Sequence, residues 1–201
     1  MKRLKKAAIT MAAFLTAVSI ASCDRKTVSS TTTTDISIAD TTTVPIGQNK
    51  INAAVGEAVT ANDTVFTLNS IISPEEHSED DKRYIYFDVT ITNNTGSAYS
   101  LSTLNNFYLT LPNGSEVYED VRTQLFAMSK FKEGSYFSDP FDIPANSEFK
   151  GIVGGFLIDK NAESVTVGFF PTKDSPTAKG DVILINVNAA DFKTPDASVL
   201  K

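Results

Sequence analysis

An all-β sandwich or barrel is the fold class this sequence predicts, and three observations predict it. The first is residues 83–93, where Ile85, Phe87, Val89 and Ile91 alternate strictly with Tyr84, Tyr86, Asp88, Thr90 and Thr92. A period of two places the first set on one face of a strand and the second on the other, and it is poor helix sequence. The second is spacing: short β-branched and aromatic runs recur every 8–15 positions from Ile51 onward, as they do in sandwiches and barrels. The third is turn chemistry. Pro112-Asn113-Gly114 separates two such runs, and Asn93-Asn94-Thr95-Gly96 ends the longest one; Asn and Gly accept the positive φ that tight turns demand.

The chain opens on a different texture. Lys2, Arg3, Lys5 and Lys6 form a basic cluster, and residues 7–20 are apolar but for Thr10, Thr16 and Ser19. That run has the length of a signal-peptide core and falls short of the ~20 residues a spanning helix needs. A cleaved signal peptide is expected over residues 1–22. Ile20-Ala21-Ser22-Cys23 resembles the lipobox of bacterial lipoproteins, an aliphatic residue, two small residues and an obligatory Cys. The resemblance implies cleavage before Cys23 and a diacylglyceryl thioether on its Sγ, with N-acylation of the new terminus in many bacteria. Two or more acyl chains hold a membrane stably where one binds marginally. Cys23 is therefore the expected lipidation site and the membrane an expected partner, with the domain facing the extracellular or periplasmic side. A secreted product cut after a small-x-small motif would instead expose an unpaired thiol, which is unusual outside the cell.

Processing changes the charge. The whole chain carries 18 basic and 24 acidic residues, a net −6; without residues 1–22 it carries 14 and 24, a net −10. Such a body is repelled by anionic headgroups, and the acidic balance argues against nucleic acid as a partner. The lone Cys excludes an internal disulfide framework.

Eleven of the 18 residues 27–44 are Ser or Thr and none is aromatic. So little apolar surface cannot offset ordering entropy, so residues 23–50 are expected to be the lipidated Cys and a flexible linker. About 27 flexible residues reach roughly 30 Å. A single β domain is expected over 51–190, with strands at 57–60, 64–72, 83–93, 106–111, 115–119, 148–158, 164–169 and 181–187, and a tail over 191–201. Gly151, Gly154 and Gly155 suit a bulge or close sheet packing. Val121, Leu125, Met128 and Phe131 share one face of a short helix, expected to cap one end of the sandwich. A body of this size is stable without a disulfide.

These residues, in order, resemble an uncharacterised immunoglobulin-like family of bacterial extracellular lipoproteins, similar in fold to small secreted immunoprotective antigens. The resemblance runs through Gly56, Phe66 and Leu68, the long strand into Asn93-Asn94-Thr95, Phe107 and Leu109, Asn113-Gly114 and Tyr118, Ile143-Pro144, Gly151, and Phe156-Leu157-Ile158. It covers about residues 55–170. It implies an immunoglobulin-like antiparallel β-sandwich of seven to eight strands and an envelope location, and no activity. One departure is Ala145-Asn146 where such domains have Gly after the Pro; Asn also adopts positive φ.

Chemistry is sparse. Glu75, Glu76, Glu79, Asp80 and Asp81 surround the only His, His77, but the run lacks EF-hand spacing and reads as a solvated acidic loop. No nucleophile elbow, phosphate-binding Gly loop or assembled triad is present. No catalytic residue, metal site or cofactor is expected, and the protein is not expected to be an enzyme. Tyr84, Tyr86, Tyr99, Tyr108, Tyr118 and Tyr136 are candidate contacts for a protein or glycan partner where they are exposed; for any single Tyr, simple cover of the sheet's outer face or packing of that face outweighs this reading. The expected function is non-catalytic binding or an accessory surface role by a lipid-anchored protein. The alternatives are a solute- or metal-binding lipoprotein and a structural or antigenic surface protein without a dedicated ligand.

Overall fold

Alternation decides the pairing. In the computed structural model, which describes Gly47 and residues 49–74, 81–171 and 180–201, the period-two segment is the central strand β4 (Lys82–Asn93). The expected signal peptide, Cys23 and most of the linker lie outside the described residues, as do residues 75–80 of the acidic run.

Eleven strands are formed among the described residues. The others are β1 (Asn49–Ala53), β2 (Val59–Ala61), β3 (Thr64–Ile72), β5 (Tyr99–Leu101), β6 (Phe107–Thr110), β7 (Glu116–Val117), β8 (Phe141–Ile143), β9 (Ser147–Asp159), β10 (Ser164–Phe169) and β11 (Asp181–Asn188). One sheet runs β1-β11-β10-β6-β7 and the facing one β2-β3-β4-β9, while β5 and β8 pair with each other. This is the expected all-β sandwich. All eight expected strands are present. Three more, β1, β5 and β8, are short, and β1 adds a parallel pair on β11 to otherwise antiparallel named strands. Strands of three residues such as β5 and β8 are too brief to display an alternation.

The core is where the two sheets turn their apolar faces together. Phe66, Phe87 and Phe156 come from one sheet and Phe107 and Phe169 from the other, and all five are fully buried. Phe66 stacks on Phe169 at 4.2 Å between centroids, Phe107 lies 4.7 Å from Phe169, and Phe87 lies 5.0 Å from Phe156. Each such pair adds about 0.5–1.5 kcal/mol beyond its burial.

The turns close as their residues require. Gly114 has φ +82° and Asn146 φ +50°, so the Asn at the departure from the family pattern does what a Gly would. Asn93, fully buried at the end of β4, accepts from the Thr95 amide at 2.8 Å and donates to the carbonyls of Ser97 and Pro144 at 2.8 and 3.0 Å.

Phe66→Ala removes the ring that touches both partners across the sheets. It is expected to cost about 3–5 kcal/mol, read as a lower urea midpoint with an unchanged slope.

Candidate functional site

The outer face of the β3-β4-β9 sheet carries a third layer. Helix α2 (Val121–Lys130) packs there, preceded by the single-turn α1 (Thr103–Asn106). Its seat is made by glycine. The β4–β9 register shifts between Ile85 and Phe87, so Gly154 and Gly155 together oppose Tyr86 in a β-bulge. Gly154 sits at φ +85°, and a Cβ on Gly155 would collide with Thr123 Oγ1. The Asp120 amide donates to the Gly155 carbonyl at 3.0 Å, and Tyr86 Oη donates to the Thr123 carbonyl at 2.6 Å. Asp120 caps the helix by accepting from the Arg122 amide at 2.9 Å, a contact worth about 1 kcal/mol in typical cases. Hydrogen bonds to Arg122 hold the Asp120 carboxyl below its ordinary range.

One open reading is decided here and one expectation corrected. Tyr84 and Tyr86 are buried, so the second face of the strand is packed there and these two are not surface contacts. Tyr86 packs edge-on against Phe131 and Tyr136 at 5.5 and 5.9 Å, and burial drives its hydroxyl pKa well above the ordinary value. Tyr99 is also buried, Tyr108 and Tyr136 are half-buried, and Tyr118 alone of the six is exposed. The helix, expected to cap an end of the sandwich with Val121, Leu125, Met128 and Phe131, covers a sheet face instead. It buries Thr123 and Ala127, with Phe131 just past its end. The reason is the close approach at Gly155, which admits only small residues beneath the helix.

The apolar stripe is therefore turned outward. Val121, Leu125 and Met128, at i, i+4 and i+7, are 68, 65 and 54 % exposed, and Tyr118 just before them is 53 % exposed. Neighbouring i+3 and i+4 residues share one helix face, so this is a contiguous patch of the kind that marks an interaction surface. Its C-terminal end is basic: Lys130 lies over the Phe126 ring at 5.9 Å and Lys201 Nζ donates to the Met128 carbonyl at 2.5 Å, which also complements the helix dipole.

The rest of the layer follows the helix. The Ile152 amide donates to the Ser135 carbonyl and the Phe137 amide to the Ile152 carbonyl, both at 2.9 Å, so residues 135–137 run along the free edge of β9. On the other side, the Lys193 amide donates to the Ile71 carbonyl and the Ser73 amide to the Lys193 carbonyl, both at 2.8 Å. The C-terminal segment then crosses to the helix end, where the Lys132 amide donates to the Val199 carbonyl at 2.9 Å. Between these walls the sheet face is left open as a trough of about 470 Å³, with Ser70 and Asp88 on the floor and Lys150 and Lys193 at its margin. A smaller cavity of about 250 Å³ lies between Phe131 and Leu200.

Among the described residues no group of three or more metal-ligating side chains converges. Among the described residues Glu119, half-buried before the helix, is the one carboxyl with a pKa displaced to near neutrality, pushed up to about 7 by burial and then by the Asp139 carboxylate, against a hydrogen bond from Gln124 at 2.5 Å. Asp139 in turn accepts from Ser102 Oγ at 2.7 Å and from the Thr103 amide. No sequence signal marks Glu119, because the groups that act on it come from the helix (Gln124) and from the segment after it (Asp139).

A family model described as a domain of unknown function (DUF4352) matches residues 53–173. The chain belongs to that family. Three solved structures resemble this DUF4352 domain. A "putative lipoprotein (ycdA)" from Bacillus subtilis is 12 % identical with a TM-score of 0.47, covering 71 % of this chain, and the chain spans 40 % of that structure. The yjhA protein of Bacillus subtilis is 15 % identical, with a TM-score of 0.44 and coverage of 67 and 98 %. An uncharacterised β-sandwich protein from Clostridium difficile is 16 % identical, with a TM-score of 0.39 and coverage of 70 and 95 %. No curated protein matches the chain.

The Glu119 value lies above its unfolded value, so protonation favours the native state. That contribution is complete below about pH 4.5 and lost as pH rises through about 7. Glu119→Gln keeps the acceptor for Gln124 and removes the charge. Its Tm is expected to stay level between these pH values while the wild-type Tm falls relative to it; parallel curves in calorimetry refute the assignment.

Proposed function

We propose that this DUF4352 protein is a lipid-anchored envelope protein that displays its sandwich for non-catalytic binding of another protein. Cys23 is the anchor, the Ser/Thr-rich segment gives reach, and the outward face of α2 makes the contact. The observation that carries the binding surface is the exposed row Tyr118, Val121, Leu125 and Met128. Aliphatic and thioether side chains suit an apolar protein groove, and the Lys130–Lys201 end complements an acidic rim. The net −10 of the processed chain opposes an anionic lipid surface as the occupant. Anchoring on one membrane raises the local concentration, so weak contacts suffice. The alternative of solute binding requires a concave polar site, and the trough beside Ser70 and Asp88 supports it.

The anchor is tested first. Cys23→Ser is expected to abolish metabolic fatty-acid labelling and to release the protein or leave it unprocessed; label that persists removes the anchor from the model. The surface is tested by a photo-crosslinking residue at position 125 of the anchored protein on its own cells. It is expected to trap a discrete protein that the same probe at exposed Val55 does not, and to lose it to competition by unlabelled wild type but not by unlabelled Leu125→Asp. Identical products from the two positions, or none from 125, refute the surface.

A further inference from the structure

The trough on the outer face of the β3-β4-β9 sheet holds a polar group that the fold does not use. Ser70 and Asp88 are cross-strand partners, and both line the trough. Ser70 is only 6 % exposed, yet its hydroxyl makes no hydrogen bond among the described residues. Without a protein partner the hydroxyl is available to a ligand, and it faces a cavity of the size small-molecule sites occupy, roughly 300–1,000 Å³.

The charges around it have two signs. Asp88 accepts from Asn69 Nδ2 on Oδ1 at 3.2 Å, which leaves its second oxygen for another donor. Across the trough, Lys193 is held at the β3 edge by its backbone bonds to Ile71 and Ser73; its side chain is exposed and has no ion pair among the described residues. Lys150 already pairs with Glu148 at 2.6 Å, and Asp196 is engaged by the Ser198 amide at 2.7 Å. Asp88 and Lys193 are the acid and the base on either side of Ser70, which lies on β3 between them with Ile72 two residues along.

We propose that this trough binds a small zwitterion, an amino acid or a short peptide with free ends. Its ammonium is held by Asp88, its carboxylate by Lys193, and the Ser70 hydroxyl is the buried hydrogen-bonding group. A solute of one charge sign satisfies only one of the two ends, and a neutral apolar one leaves both side chains and the hydroxyl unmatched. The site is separate from the α2 face and does not depend on it.

Trialanine is the probe, added to the full-length protein in detergent and followed by calorimetry and saturation-transfer NMR. Saturable binding is expected, and N-acetyl-trialanine amide, which lacks both charges, is expected to bind at least about tenfold more weakly. Lys193→Ala, at an exposed side chain, and Asp88→Asn are each expected to weaken trialanine about tenfold. Ser70→Ala is expected to weaken it too, because the hydroxyl has no protein partner among the described residues and is left to the ligand. Leu125→Asp is expected to leave trialanine binding unchanged, which separates this site from the docking face. The proposal is overturned by absence of saturable binding, by equal affinity for the free and capped peptides, or by a Ser70→Ala variant that binds trialanine as the wild type does.

Discussion

Burial of β4 on both faces at Tyr86 and Phe87 is the constraint on which the rest of the molecule is arranged. Phe87 turns into the space between the sheets and Tyr86 turns out of it, and neither keeps any exposure. A tyrosine on the outer face of a sheet would ordinarily remain wet. Here its hydroxyl must find a partner inside the protein, and the Thr123 carbonyl supplies it at 2.6 Å. That bond exists only because β9 bulges opposite Tyr86 with two glycines and lets the helix backbone approach. Seating α2 then directs the following chain along the β9 edge and leaves the C-terminal segment to close the other side.

This seat explains an inversion in the helix. Amphipathic helices normally dock through their apolar stripe. At this close approach the sheet accepts only Thr123 and Ala127, so the stripe is left facing solvent. The helix is held by its cap, by the Tyr86 and Gly155 bonds and by the flanking Phe131 and Phe126 rings, and its larger aliphatic side chains contribute little to the fold. Residues that contribute little to folding while exposing apolar surface are free to serve an interface. The third layer also leaves part of the sheet face uncovered, and the trough is that remainder.

Much of the sandwich was legible along the chain. Strict alternation in β4, β10 and β11 marks half-buried strands without any tertiary information, and Asn113-Gly114 and Asn93 announce their turns. The glycines of β9 pointed to a bulge or a close contact, and both occur. The outer faces were not legible. Tyr84 and Tyr86 look the same in sequence whether water or a helix covers them, and Val121, Leu125 and Met128 look like a core stripe because periodicity reports that a face exists, not which way it turns. The candidate sites were illegible for a related reason. Ser70, Asp88 and Lys193 are far apart in the chain, and nothing local to any of them signals a cavity.

The sequence by itself determined the alternating strands, the turn positions, the acidic balance of the body and the lipobox-like segment at Cys23, because each is a local pattern of residue types read by local physics. Tertiary structure alone decided that the second face of β4 is dry at Tyr84 and Tyr86, that α2 docks by its small residues, that Glu119 sits beside Asp139, and that a serine, an aspartate and a lysine share one trough. Those outcomes depend on backbone approach distances and long-range pairing, which no local pattern encodes.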